Sequence, residues 1–223
     1  MQNDQSLGDQ AAFLSVNVGS PSLSLSFPDP LPSLPILCAT RLRLDLLLND
    51  SVIDLKAVSE VVLADAGATL QILRLIGEEF PNEEDRPQRI EDCIVSLSVD
   101  RVYQTVCASE KPHSGPHVVE WQRCRRLAEC ARELASAFEG FSPEEAYLVG
   151  LLCRLGKFPH LLGWKGDSSV SSESDALGVM LASHWNLPRF VLSAIQEQHE
   201  LEGAPKWKNI LNLADQLIQQ SAA

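Results

Sequence analysis

At 223 residues, with 45% of them hydrophobic, the chain is long enough to bury a substantial core in one domain or in two small subdomains that share one. Its formal charge of -12 argues against nucleic acid as a partner, because phosphate contacts need a basic face. No apolar run reaches membrane-spanning length, so no membrane partner is expected either.

Residues 1–30 are rich in Ser and Pro, with Gly19-Ser20-Pro21 and Phe27-Pro28-Asp29-Pro30, and read as a tail without a stable fold. The alternation Leu23, Leu25, Phe27 within it has the period of a strand but is short and flanked by proline. From Leu34 the pattern turns helical. Ile36, Leu37, Thr40, Leu44 and Leu47 recur every three or four residues, predicting an amphipathic helix that ends at Asn49-Asp50. A second helix begins at Asp54 and carries Leu55, Val58, Val61 and Val62, and Asp65-Ala66-Gly67 breaks it. A third runs from Thr69 to Gly77. Two prolines, Asn82 and several acids make the stretch from Glu78 to Gln88 an exposed loop, and shorter helices follow over Ile90 to Leu97 and Asp100 to Ser109.

Lys111-Pro112-His113-Ser114-Gly115-Pro116 reads as a hinge between halves. His113 and His117 are four apart, but Gly115 and Pro116 between them prevent a helical ligand pair, so both are assigned to the linker. A long helix then covers His117 to Phe138. Its basic run Arg123, Arg125, Arg126, Arg132 reads as a solvated face balanced by Glu129 and Glu133. Ser142-Pro143-Glu144-Glu145 signals the next start, since Ser142 can cap, Pro143 suits the first helical position and Glu145 fits a capping box. The apolar helix that follows ends near Gly156. A Gly- and Ser-rich loop from Gly163 to Ser172 precedes helices over Glu173 to Trp185, Pro188 to Glu200 and Lys206 to Gln220. Strand signals are nearly absent, so the fold class expected is all-α.

Six cysteines, at 38, 93, 107, 124, 130 and 153, form no C-x-x-C pair. All but Cys124 sit among apolar neighbours, the pattern of buried thiols in a reducing compartment. The first basic residue is Arg41, so a signal peptide is not expected and the localisation expected is cytoplasmic. Cys153 lies near a helix C-terminus, where the dipole disfavours a thiolate nucleophile.

Several segments in order carry a family likeness: Leu31-Pro32-Ser33-Leu34-Pro35, Ala64-Asp65-Ala66 leading into Leu70-Gln71-Ile72-Leu73-Arg74-Leu75, and Ile90 to Leu97. Trp121, Glu144 to Leu152 with Leu155-Gly156-Lys157, and Gly178 to Pro188 continue it. Together they resemble the HDOD family, the HD-related output domains of bacterial signalling proteins. The resemblance implies a multi-helix HD-like bundle of two helical subdomains packed together, residues 31–110 and 111–223, forming one HDOD domain over 31–223.

In catalytic HD phosphohydrolases a His-Asp pair stands where Cys153-Arg154 stand here. Carried over in the same way, the first histidine falls on Arg123, a later one near Ser174, the His-His pair on Gln198 and His199, and the final aspartate on Asp215. Only His199 and Asp215 are retained. Two ligands do not hold a catalytic divalent ion, and arginines at ligand positions repel one. The expectation is therefore no catalytic residue, no bound metal and no cofactor, with the old pocket formed by Arg123, Cys153, Arg154, Ser174, Gln198, His199 and Asp215. An ion-pair cluster of Arg123, Arg154 and Asp215 in place of the metal is one arrangement open to it, separate surface arginines another.

The resemblance implies a non-catalytic regulatory scaffold that docks signalling proteins. Trp185, Leu187, Pro188 and Trp207 are its candidate partner surface if the tryptophans are exposed, core packing being the alternative. Two other readings stay open: a metal-dependent HD-type phosphohydrolase with a rearranged site, and an Arg-lined sensor of nucleotides or phosphopeptides using Arg123, Arg126 and Arg154.

Overall fold

A computed structural model describes residues 34–108, 116–162, 171–198 and 206–221, without the side chains of 116 and 171–175. The N-terminal tail, most of the hinge, the Gly- and Ser-rich loop over 163–170 and His199 lie outside the described residues. Five helices come first: α1 (Cys38–Leu48), α2 (Leu55–Leu63), α3 (Ala66–Glu79), α4 (Ile90–Leu97) and α5 (Val99–Ala108). Then follow α6 (Pro116–Ala137), α7 (Pro143–Leu152), the one-turn α8 (Phe158–Leu161), α9 (Ser171–His184), α10 (Arg189–Glu197) and α11 (Lys206–Ser221). Among the described residues there is no strand, and the expected all-α bundle of two packed helical subdomains is what forms.

Side-chain caps set the starts of α2, α3 and α7. The Asp54 carboxylate accepts from the backbone N–H groups of Lys56 and Ala57, which caps α2. The Ser142 hydroxyl accepts from the Glu145 N–H at 3.3 Å and Pro143 occupies the first turn, as the sequence predicts for α7. That helix stops at Leu152 rather than near Gly156, and a 3-10 turn, Leu155–Lys157, continues the chain into α8. Likewise Ile36 and Leu37 precede α1 instead of lying on it, because Leu37 is its cap residue.

Asp65 is the strongest local determinant. It is fully buried and caps α3 by accepting from Gly67 N–H at 2.9 Å and Ala68 N–H at 3.2 Å. Its second oxygen accepts from Leu37 N–H and the Thr40 hydroxyl, both at 2.7 Å, and so also binds the start of α1. The Trp121 indole N–H of α6 completes the set at 3.0 Å. Burial raises the Asp65 pKa above the ordinary carboxylate value, while the bonds from Thr40, Leu37, Ala68 and Trp121 pull it down. Gly67 allows the crowding, since a Cβ there would stand 2.2 Å from the Pro35 carbonyl oxygen.

Trp121 also stacks on Phe158, ring centroids 4.5 Å apart, and with it enters a core that runs from α1–α5 into α6, α7, α9 and α10. The Tyr147 hydroxyl of α7 donates to the Leu63 carbonyl at the end of α2, 2.9 Å away. The stretch 78–88 is not a free loop. Arg86 is buried within it and donates to the carbonyls of Phe80, Pro81 and Asn186, while the Asn186 amide donates to the Gly77 carbonyl. A second core cluster joins α6, α7, α10 and α11 around Leu127, Ala131, Val149, Trp207 and Ile210.

Three expectations are corrected by this packing. His117 is not in a mobile linker; it is buried in the first turn of α6, edge-on to Trp121 at 5.6 Å, and burial lowers its pKa. Cys124 is buried and Cys38 exposed, the reverse of what their neighbours in sequence suggested, because α6 turns its Cys124 face inward. Trp185, Leu187 and Trp207 are buried as well, so they pack the core and offer no protruding anchor, and only Pro188 of that set is partly exposed.

Replacing Asp65 with Ala strands five donors and is expected to lower unfolding free energy by about 3–5 kcal/mol; Asp65→Asn, with one acceptor oxygen left, falls only slightly short of that, as urea denaturation will measure. The closest helix pair supplies a second test. A Cβ on Gly150 of α7 would lie 2.7 Å from the Ala128 Cα and 2.9 Å from the Leu127 carbonyl oxygen of α6. Because those contacts are backbone atoms, Gly150→Ala must push the helices apart, at an expected cost of about 1–3 kcal/mol despite its better helix propensity.

Candidate functional site

The residues at the HD ligand positions come from α6, the end of α7, α9, the end of α10 and α11. Arg123 on α6 reaches Asp215 on α11, Nη2 to Oδ1 at 3.0 Å. The other Asp215 oxygen accepts from Gln219 Nε2 at 2.8 Å, one helical turn away. Arg154, just past α7, instead forms an ion pair with Glu120 of α6 through its Nε. The three-membered cluster of Arg123, Arg154 and Asp215 is therefore two separate pairs, and Glu120 supplies the charge that the sequence reading lacked.

Cys153 closes α7 and is buried, its thiol directed at the Gly150 carbonyl at 3.5 Å. Burial pushes its pKa up to about 12, against the opposing pull of Arg154. Gln198 donates to the Cys153 carbonyl at 3.4 Å. Asp215 and Glu120 both act on the Cys153 thiol, and Arg123 and Arg154 both act on the neighbouring Cys124 thiol, which burial also pushes up. Arg123, Cys153, Arg154, Gln198 and Asp215 thus share one neighbourhood. Ser174 lies on α9, and His199 is outside the described residues.

The two ion pairs differ in environment. Arg154 and Glu120 keep only 16% and 15% of their side-chain surfaces exposed, whereas Arg123 and Asp215 keep 42% and 32%. Burial alone would lower the Arg154 pKa, and the hydrogen bond and charge of Glu120 more than reverse that. Two other arginines of α6 are also engaged, whereas Arg126 is exposed. Arg125 pairs with Glu129 at 2.8 Å, as a solvated face would, and the Arg132 guanidinium lies 3.9 Å from the centre of the Tyr147 ring.

These residues do not fit a divalent cation. Two guanidinium groups occupy the neighbourhood, both Asp215 oxygens already accept hydrogen bonds, and a thiol held up at about 12 is not the thiolate a metal requires. Among the described residues, no three His, Cys, Asp or Glu side chains are grouped so as to hold a metal ion. No catalytic step is derived through one.

Glu120 is the residue that sequence reasoning missed. It lies one turn before Arg123 on α6, so helical periodicity places it on the same side as a ligand position. Its contact with Arg154 spans 34 residues and has no local signal.

Breaking the more buried pair is the more costly change. Arg154→Ala leaves Glu120 unpaired and is expected to destabilise by roughly 3–5 kcal/mol, against less than about 1 kcal/mol for Arg123→Ala in its screened setting. Thermal unfolding of the two variants and of Glu120→Gln/Arg154→Met, in which the buried charges are removed together, checks the ordering; the double variant should recover much of the loss.

The fold is similar to that of known structures. The crystal structure of the MmoQ response regulator from Methylococcus capsulatus superposes with a TM-score of 0.69 at 20% identity, covering 86% of this chain and 88% of that one. A virulence factor from Campylobacter jejuni gives a TM-score of 0.54 at 15% identity over 83% of this chain and 78% of its own. No curated protein sequence matches. The HDOD domain family matches residues 32–164, which cover the N-terminal subdomain, α6, α7 and the Cys153-Arg154 position. By that match the chain belongs to the HDOD domain family.

Proposed function

We propose that this protein is a non-catalytic regulatory scaffold that acts by binding signalling proteins. The observation that carries the reading is the pair of ion pairs, Arg123 with Asp215 and Arg154 with Glu120, standing where an HD enzyme would hold its metal. Among the described residues no group of ligands for a cation lies at this position, while the helical framework around it is kept. A role in bacterial signalling is in keeping with the name of the MmoQ protein, a response regulator whose fold this chain shares. Residues 31–223 act as one unit in this reading, because α1–α5 share one core with α6, α7, α9 and α10, and a second cluster joins α11 to α6, α7 and α10.

The Arg-lined sensor is disfavoured by the same pairs. An incoming phosphate would have to displace Glu120 from a largely buried Arg154 before gaining its own contact. A rearranged phosphohydrolase would require donors beyond Asp215, whose oxygens are both engaged.

Metal content tests the proposal directly. Protein purified without chelator or histidine tag is expected to carry substoichiometric metal by inductively coupled plasma mass spectrometry and to leave phosphomonoesters and phosphodiesters intact. One or two equivalents of manganese, iron, magnesium or zinc, with turnover, overturns it, and Asp215→Ala should then release the metal.

A further inference from the structure

Away from the HD position, α1, α2 and α6 leave a groove between them. It consists of two adjoining recesses of about 160 and 430 Å³ that share Arg43, Val61, Ala64 and Arg125 in their walls. Leu37 and Trp121 line the narrower recess, and Leu46, 74% exposed, stands at the edge of the wider one. Apolar surface left in water is unfavourable, and a segment laid over it would remove it from solvent. The Arg43 guanidinium makes no ion pair or hydrogen bond among the described residues, Arg125 is held by Glu129, and Glu60 is the one acid in the walls of the recesses.

We infer that the groove is the docking site of this chain's own N-terminal segment, with Leu23, Leu25 and Phe27 laid along its apolar wall. Three observations converge on that occupant. Residues 1–33 run directly into Leu34, three residues before Leu37, so the segment begins at the mouth of the groove. They contain Asp4, Asp9 and Asp29 and no Lys, Arg, His or Glu, a charge complementary to Arg43 and Arg125. The alternation Leu23, Leu25, Phe27 puts three apolar side chains on one edge of an extended segment, which suits an open apolar channel.

Reach and entropy also allow it. Phe27 lies seven positions before Leu34, the first residue fixed in the fold, an extended span of roughly 23 Å that reaches across two packed helices. Prolines at 28, 30, 32 and 35 restrict the connecting backbone and reduce what docking must immobilise. The tether keeps the segment at an effective concentration on the order of millimolar, so even a weak intrinsic contact is populated. This inference does not depend on whether the chain is an enzyme. Its regulatory consequence is that any outside ligand of the groove competes with the protein's own segment.

The test is photo-crosslinking in the full chain, with Leu46→p-benzoylphenylalanine as the probe. The position is exposed, so the variant should fold normally. Irradiation is expected to give an intramolecular crosslink to residues 20–30, found by mass spectrometry of the digested monomer. Phe27→Asp should lower its yield about tenfold, because one buried aromatic side chain contributes that much binding, and Arg43→Glu should lower it severalfold. A covalent dimer whose yield rises with protein concentration would assign the groove to a second copy and overturn the inference. So would an undiminished yield in Phe27→Asp, or crosslinks confined to the helices beside Leu46.

Discussion

A carboxylate taken fully out of water loses its hydration shell, and the chain can tolerate that only where donors replace the lost waters. Asp65 receives five of them, from the start of α1, the start of α3 and the indole of α6. The requirement works in both directions. The buried acid dictates where three helices must end or cross, and those helices' otherwise unsatisfied N–H groups gain an acceptor they would lack in an apolar core. Two helix N-termini also direct their positive ends at the same negative group. Trp121 therefore has a double role, giving its N–H to Asp65 and its ring to Phe158, and through it the N-terminal subdomain fixes where α6 lies.

Since α6 carries both Glu120 and Arg123, its placement by Trp121 also sets the geometry of the rebuilt HD position. A divalent ion at such a site ties several helices together through its ligands. Here the same mechanical task falls to side-chain charges, Arg154 joining the end of α7 to α6 and Arg123 joining α6 to α11. Two cations and two carboxylates keep the neighbourhood near neutrality without an exchangeable ion. A catalytic metal centre keeps a coordination position open to an incoming ligand, whereas both carboxylates here are already paired with guanidinium groups of the protein. Both Asp215 oxygens illustrate the difference, since each is spoken for by a neighbour within the protein.

How much of this was legible depended on distance along the chain. Asp54 and Ser142 cap their helices through contacts with residues two or three positions on, and both starts are visible in the sequence. In the sequence Asp65 marks a helix break and a segment of family likeness, but its role as a buried hub is not visible there, because three of its five donors lie 25 to 56 residues away. The loss of the HD ligands was visible at Cys153 and Arg154 because it is a matter of residue identity. Arg154's partner was not, since the choice between Asp215 and Glu120 is made by how α6 and α7 pack. The tryptophans show a further limit. Trp207 sits on the apolar stripe of α11 and Trp185 in the turn just after α9, and neither periodicity nor a turn signal states whether another helix covers the side chain.

The clamp made by Arg86 and Asn186 has a consequence for how the chain reaches this state. Arg86 donates to a carbonyl 100 residues ahead of it, and Asn186 donates back across 109 residues to Gly77. Such bonds return nothing until a very long loop has closed, so they cannot form while the first five helices exist alone. During synthesis the bonds of Arg86 to Phe80 and Pro81 are local, but those that join Arg86 and Gly77 to Asn186 must wait until α9 and the turn after it have left the ribosome. The N-terminal half thus gains its last hydrogen bonds from residues made about a hundred positions later.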